Sequence, residues 1–300
     1  MNLVRPLMSD PFHVPVGDGV ELCAQSFGEE AAPTLLLLGG ATASMDWWEV
    51  DWCVRLAAEG LRIVRFDHRD TGASTAWPAG APGYSSRDLT RDPIRLLDAL
   101  GVEDAHLLGV SMGGGIAQDL AVTLPGRVRS LTLVATTCAF GRGTTGPLPP
   151  PESRVAELFE HPPAEPDWSD SDAVVEHLVE GQRPYAGGLG VDEETVRAVA
   201  RSVVGRTRDV RASLTNHWQV VGDGDEGPVH TMAEIAVPTL VVHGRDDPMF
   251  PLPHGVALAN EIAGARLVVV PGMGHEVPPR PTWDQVLTEV VALVRSVERG

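Results

Sequence analysis

A serine lies between two glycines, Gly109-Val110-Ser111-Met112-Gly113, where the apolar run Ala105–Val110 gives way to a helical pattern starting at Met112. A strand-to-helix turn that sharp tolerates only small residues around the serine, and it lifts the hydroxyl above the edge of a sheet. It also leaves the Met112 N–H at a helix start, aimed where negative charge develops on an attacked carbonyl oxygen. A hydroxyl is a weak nucleophile without a base and a group to orient that base. Both follow later in the chain, each just past an apolar run: Asp246 and Asp247 after TLVVHG, and His275 after RLVVVPG. In G-x-x-D the turn after the strand directs the fourth residue towards the histidine, which selects Asp247 and leaves Asp246 to the turn. The spacing therefore predicts Ser111 as nucleophile, His275 as general base and Asp247 as its orienting acid, the chemistry of acyl transfer. A second oxyanion donor is expected from the loop after TLLLL, with the Ala41 N–H preferred and Gly40 the alternative.

The remaining histidines read more plainly. His106 and His243 sit in apolar runs and are expected as satisfied core residues, while His13, His161, His177 and His230 lie in polar or loop context. His217 and His254 stay open. Aromatic side chains supply candidate pocket walls: Trp48 from the cluster with Trp47 and Trp52, and Phe140, Trp168, Tyr185 and Trp218 further along, with Trp48, Phe140 and Trp218 taken as substrate-binding.

These residues need a scaffold that brings distant turns to one edge. Short apolar runs at Val20–Phe27, Thr34–Leu38, 61–67, Ala105–Val110 and 129–135 alternate with helical patterns at 51–59, 89–100 and 112–124. Continuous apolar strands separated by helices indicate parallel strands covered on both faces. Near Thr136 the rhythm breaks. From there to about His230 only helices are expected, at 153–159, 173–180, 193–204 and 210–221. Alternation then resumes with strands at 239–243 and 267–270 and helices at 255–262 and 284–297. The reading is an α/β fold with a mostly parallel sheet flanked by helices, its core formed by 1–136 and 231–300. A helical cap over 137–230 lies above the carboxyl ends of the strands, where open α/β sheets bind ligands.

Composition narrows the chemistry. Lys and Arg together number 23, and every one is arginine, so lysine Schiff-base chemistry and the phosphate-gripping P-loop lysine are excluded. A net charge of −18 repels nucleic acid and anionic lipid, and no apolar run approaches the ~18 residues of a membrane span. Neither a signal peptide nor a membrane partner is read. Three widely spaced cysteines, an odd number, suit reduced thiols in the cytoplasm. The stretch 222–227, GDGDEG, satisfies G-x-G-x-x-G, but it follows no strand and carries three carboxylates that would repel a pyrophosphate. No Cys/His cluster has zinc spacing. No metal and no cofactor are expected.

The motifs LLLLGGATASMDWW, RFDHRDTGAST, LLGVSMGGG, PTLVVHGRDDPMFP and VPGMGH resemble the α/β-hydrolase superfamily across nearly the whole chain. In detail the chain is similar to aclacinomycin methylesterases and to 3-oxoadipate enol-lactonase-like esterases. The resemblance implies a serine esterase that cleaves a methyl ester of an aromatic polyketide, or another small ester, through an acyl-enzyme. The same triad also serves lactonases, C–C bond hydrolases and cofactor-free perhydrolases, and some non-catalytic small-molecule binders share the fold. A small-molecule ester is the implied partner, with monomer and homodimer both open. Asp67 and Arg69 of the RFDHRDTG turn carry no catalytic role in that reading. One departure stands out: the usual His-Gly before the oxyanion residue is Gly39-Gly40 here. That keeps the backbone donor but removes an imidazole that normally packs beneath the loop, an absence the methylesterases share.

Overall fold

The computed structural model describes residues 8–143, 146–221 and 230–299. It opens on a hairpin, β1 (Phe12–Gly17) and β2 (Val20–Phe27). Asp18 and Gly19 turn it with positive φ at both positions, the conformation an Asp-Gly pair accepts readily. Then follow β3 (Thr34–Leu38), α1 (Val50–Ala58), β4 (Arg62–Phe66), α2 (Ser86–Ala99), β5 (Ala105–Val110), α3 (Met112–Thr123) and β6 (Val128–Val134). Among the described residues five α-helices come next: α4 (Ser153–Glu160), α5 (Ser171–Gln182), α6 (Glu193–Arg206), α7 (Val210–Thr215) and α8 (His217–Val220). The chain ends with β7 (Thr239–Gly244), α9 (Pro253–Glu261), β8 (Arg266–Val270) and α10 (Trp283–Glu298). The GDGDEG stretch, 222–227, lies outside the described residues.

The eight strands form one sheet in the order β1-β2-β4-β3-β5-β6-β7-β8. Pairing is parallel from β4 to β8, while β1–β2 and β2–β4 are antiparallel. Successive side chains of a strand point to opposite faces, and here both faces are dry. Leu36 and Leu38 of β3 pack with Leu107, Leu131 and Val241 under α2, α3 and α9. Leu35 and Leu37 pack with Leu108, Leu240 and Val242 under α1 and α10. That two-sided burial is why these strands read as unbroken apolar runs.

The first strand, which the sequence reading does not include, carries Pro15. Proline cannot donate to a ladder, and β1 is the edge strand, where one missing N–H is tolerated. The helix expected over 210–221 is instead divided at Asn216. Its buried side chain donates Nδ2–H to Asp70 Oδ2 (2.9 Å) and to the Pro78 carbonyl (3.2 Å), and accepts from the Gly80 N–H (2.7 Å). Helices α5 and α6 bury a small cluster of their own around Val175, Leu178, Val179 and Val203, against which Trp47 packs.

The strand order locates the crevice. The chain runs from β3 outward to β4 and then returns to place β5 on the other side of β3, so the connections diverge between β3 and β5. Ligands of open α/β sheets bind at such a switch point, beyond the carboxyl ends of the strands. The loop after β3 and the turn after β5 meet there.

Candidate active site

Ser111 has φ 52° and ψ −116°, a conformation that only a firmly held turn imposes on a residue with a side chain. Three bonds hold it. Its N–H donates to the Val134 carbonyl (3.1 Å), and its own carbonyl accepts from the Gly115 N–H (3.1 Å) and the Thr136 hydroxyl (2.8 Å). The flanking glycines are needed for close approach. A Cβ on Gly109 would stand 2.3 Å from the Gly113 carbonyl oxygen, and one on Gly113 would stand 2.4 Å from that of Leu38. The second contact presses the start of α3 onto the end of β3, which brings the 39–42 loop alongside the serine. A Cβ on Gly40 would lie 3.5 Å from Ser111 Cβ.

The other two residues arrive from the loops after β7 and β8. His275 Nε2 is 3.0 Å from Ser111 Oγ, and His275 Nδ1 is 3.0 Å from Asp247 Oδ2 and 3.2 Å from Oδ1. Asp247 is 1% exposed, and its Oδ1 also accepts the N–H groups of Met249 (2.9 Å) and Phe250 (2.8 Å). The neighbouring Asp246 faces elsewhere, accepting the Gly188 N–H (3.1 Å). Such an arrangement can carry a proton from the hydroxyl to Nε2 while a buried carboxylate holds the imidazole and balances its charge. Met112 opens α3 directly after the serine, and Ala41 sits in the adjoining loop. Among the described residues neither N–H is taken up by a protein acceptor.

Tyr185, one of the candidate pocket walls, stands against His275, while other partners escaped the sequence reading. The His275 ring contacts Phe250, with ring centroids 5.2 Å apart, and Tyr185, at 6.0 Å, and the backbone N–H of His275 donates to the Tyr185 carbonyl (2.9 Å). His243, expected as a satisfied core residue, is fully buried and donates Nε2–H to the Phe250 carbonyl (2.7 Å), and it also stands 3.6 Å from Asp247 Oδ2. Its position four residues before the acid was the available signal. His217, left open, bonds into the 39–42 loop from α8. No sequence pattern marked it.

The three aromatic residues taken as substrate-binding are dispersed. Trp48 is buried in the core face under α1 and α10, Phe140 packs edge-on to His230 with ring centroids 5.6 Å apart, and Trp218 is 48% exposed beside Phe159. Among the described residues none of the three makes a ring contact with His275. Asp67 and Arg69 stand apart from the serine as well. Asp67 accepts the Met45 and Ala73 N–H groups, and Arg69 forms a two-pronged pair with buried Asp92 at 2.7 and 2.8 Å. Burial pushes the thiols of Cys23 and Cys138 up to about 11 and that of Cys53 to about 12, so none competes with the serine as a nucleophile near neutral pH. No described helix is long and apolar enough to cross a membrane.

The sheet order, the strained serine after β5 and the acid and histidine after β7 and β8 define an α/β hydrolase, and the chain belongs to the α/β-hydrolase superfamily. Residues 33–162 match the family model described as alpha/beta hydrolase fold, and residues 202–289 match that of TAP-like protein. The chain is 30% identical over 283 residues to rhodomycin D methylesterase DnrP of Streptomyces peucetius, a match covering 89% of this chain and 93% of that protein. Rhodomycin D methylesterase DauP of Streptomyces sp. strain C5 is 31% identical over 286 residues, with the same two shares of 89% and 93%. Among solved structures, the enol-lactonase from Burkholderia xenovorans LB400 superposes with a TM-score of 0.70 at 25% identity, over 94% of this chain and 99% of that one.

Proposed function

We propose that this protein hydrolyses a carboxylic ester through an acyl-enzyme. Ser111 Oγ attacks the ester carbonyl while His275 takes its proton, and the oxyanion is held by the N–H groups of Met112 and Ala41. His275 then passes the proton to the departing alcohol as the C–O bond breaks. Water attacks the acyl-serine with His275 as base, releasing the acid and restoring the hydroxyl. Asp247 keeps the imidazole proton on Nδ1 and stabilises the imidazolium. The observation that carries this reading is the unbroken line Ser111 Oγ to His275 Nε2 to Asp247, with links of 3.0 Å each.

The substrate class supported best is a methyl ester on an aromatic polyketide, because the two methylesterases match almost the full chain at 30% and 31% identity. A lactone is the second reading, favoured by the likeness to the enol-lactonase. Three unpaired thiols, two of them buried, support a reducing cytoplasmic setting.

A fluorophosphonate followed by mass spectrometry should give one adduct, on Ser111. Ser111→Ala should lose both the adduct and turnover of p-nitrophenyl acetate. A panel of aryl methyl esters and small lactones then separates the two substrate readings. Labelling at another residue, or full turnover by Ser111→Ala, would overturn the assignment.

A further inference from the structure

The loop with the second oxyanion donor is gripped from outside its own strand. Thr42, next after Ala41, has φ 66°, in the left-handed region that a β-branched residue avoids. A backbone held in that region at a site is one its surroundings over-determine. Both sides of Thr42 are engaged by the helices between β6 and β7: its N–H donates to His217 Nδ1 (2.8 Å), and its carbonyl accepts from the Ser213 hydroxyl (3.3 Å).

The chemistry of the His217 ring is fixed by its other nitrogen. Nε2 is 2.8 Å from the Arg69 carbonyl oxygen, which can only accept. The ring proton must therefore sit on Nε2, leaving Nδ1 as a bare lone pair directed at Thr42. A doubly protonated ring would set N–H against N–H and lose the loop. The surroundings favour the neutral form. The ring is fully buried, and burial pushes its pKa below the usual histidine value, against the pull of the Arg69 carbonyl and of Asp70. Two titratable rings face it, His68 at 6.1 Å and Tyr84 at 6.4 Å between centroids. Burial brings His68 down to about 3, and the Tyr84 hydroxyl is spent on Asp70 Oδ2 (2.6 Å).

We propose that His217 is a positioning residue for the oxyanion hole, holding the peptide between Ala41 and Thr42 so that the Ala41 N–H stays aimed at the carbonyl above Ser111. This rests on the ester-hydrolase reading. It makes docking of α7 and α8 on the core and assembly of the hole one event.

Two substitutions separate the nitrogens. Asparagine sets its side-chain oxygen near the place of Nδ1, so His217→Asn keeps an acceptor for Thr42 and loses the Arg69 bond. Glutamine reaches the place of Nε2, so His217→Gln keeps the Arg69 bond and loses the acceptor. With p-nitrophenyl acetate, whose acyl group is too small to need distant pocket walls, His217→Asn should retain kcat within about fivefold. His217→Gln should lose about 10- to 100-fold in kcat, short of the ~10²–10³ that follows loss of a donor itself, with KM changed by less than about threefold. A purely structural ring would instead make activity follow the urea midpoint in both variants. Equal kcat in the two variants, or the reverse order, would overturn the assignment. Nitrogen-15 NMR of the wild-type ring gives a test that no folding defect can blur: protonation at Nε2 with an accepting Nδ1 is expected, and protonation at Nδ1 would refute it. A wild-type chain that neither hydrolyses the acetate nor takes the fluorophosphonate removes the ester-hydrolase reading and this one with it. Wild-type turnover with an active His217→Gln removes this one alone.

Discussion

At the residue scale the two adjacent aspartates make the sharpest contrast. Asp247 Oδ1 is fixed by two backbone N–H groups, leaving Oδ2 to face His275 Nδ1. In Asp247→Asn those same two donors would hold the amide oxygen at the Oδ1 position and turn the NH₂ towards the imidazole. The amide would then donate to Nδ1 and drive the ring proton to Nε2, where it blocks uptake of the serine proton. A drop in kcat of about 10⁴, with little change in KM, is expected in a steady-state ester assay. Asp246→Asn keeps an acceptor for the Gly188 N–H and should stay within about threefold of wild type; a large loss there would exchange the two roles. Ser111, Asp247 and His275 were legible because few residue types do this chemistry and each follows an apolar strand. Phe250 and His217 were not, because their contacts are set by neighbours from distant segments, and an aromatic or a histidine in a loop looks the same with or without them.

Among the elements, the RFDHRDTG turn after β4 is where the inserted helices are tied down. Arg206, ending α6, reaches Asp46 (2.6 Å) and Asp67 (2.8 Å), and Asp46 also takes the hydroxyls of Ser202 and Ser44. Arg208 donates to the Gly72 and Ala73 carbonyls, and Asn216 and His217 hold Asp70 and the Arg69 carbonyl. The turn's acids therefore serve as sockets for α6 to α8. Burial alone would raise the Asp46 carboxyl, yet the Arg206 guanidinium and the two hydroxyls hold it below its usual value. Arg206→Met should thus strand two buried carboxylates and cost about 3–5 kcal/mol in urea unfolding at pH 7. A group with a depressed folded pKa stabilises above its unfolded value and loses that contribution as pH falls through the folded one. The deficit of the variant should therefore narrow below about pH 4, and adding Asp46→Asn should recover part of it at pH 7. A variant as stable as wild type at pH 7 would mean that the socket contributes nothing. The helical block itself was legible from its missing strand patterns. Its tie-down points were not, since one arginine in an amphipathic helix, or one asparagine inside a helical run, carries no mark of a buried partner.

Over the whole molecule, two responses to acid oppose each other. A net charge of −18 implies self-repulsion that weakens as carboxylates and histidines take up protons, which by itself would stabilise the fold on mild acidification. Against it stand the buried imidazoles. His68, His106, His217 and His243 are fully buried and His254 is 7% exposed, and burial lowers the pKa of every one, His68 to about 3. Unfolded, each would take up a proton near pH ~6.5. Below that pH the unfolded chain binds more protons than the folded one, so stability falls with falling pH by up to ~1.4 kcal/mol per pH unit for each such histidine until its folded pKa is reached. Surface repulsion is spread over many exposed groups and is screened beyond ~8 Å at physiological salt, whereas the histidine contribution is local and unscreened. The histidines should win. At 0.15 M salt the urea midpoint should hold steady from pH 8 to 7 and then fall steeply between pH 6.5 and 5, before most carboxylates titrate. Calorimetric unfolding at pH 5.5 in buffers of different ionisation enthalpy should register net proton uptake by the unfolding chain. A midpoint that stays flat or rises across that interval would show that surface charge governs the acid response and that these rings are not held neutral.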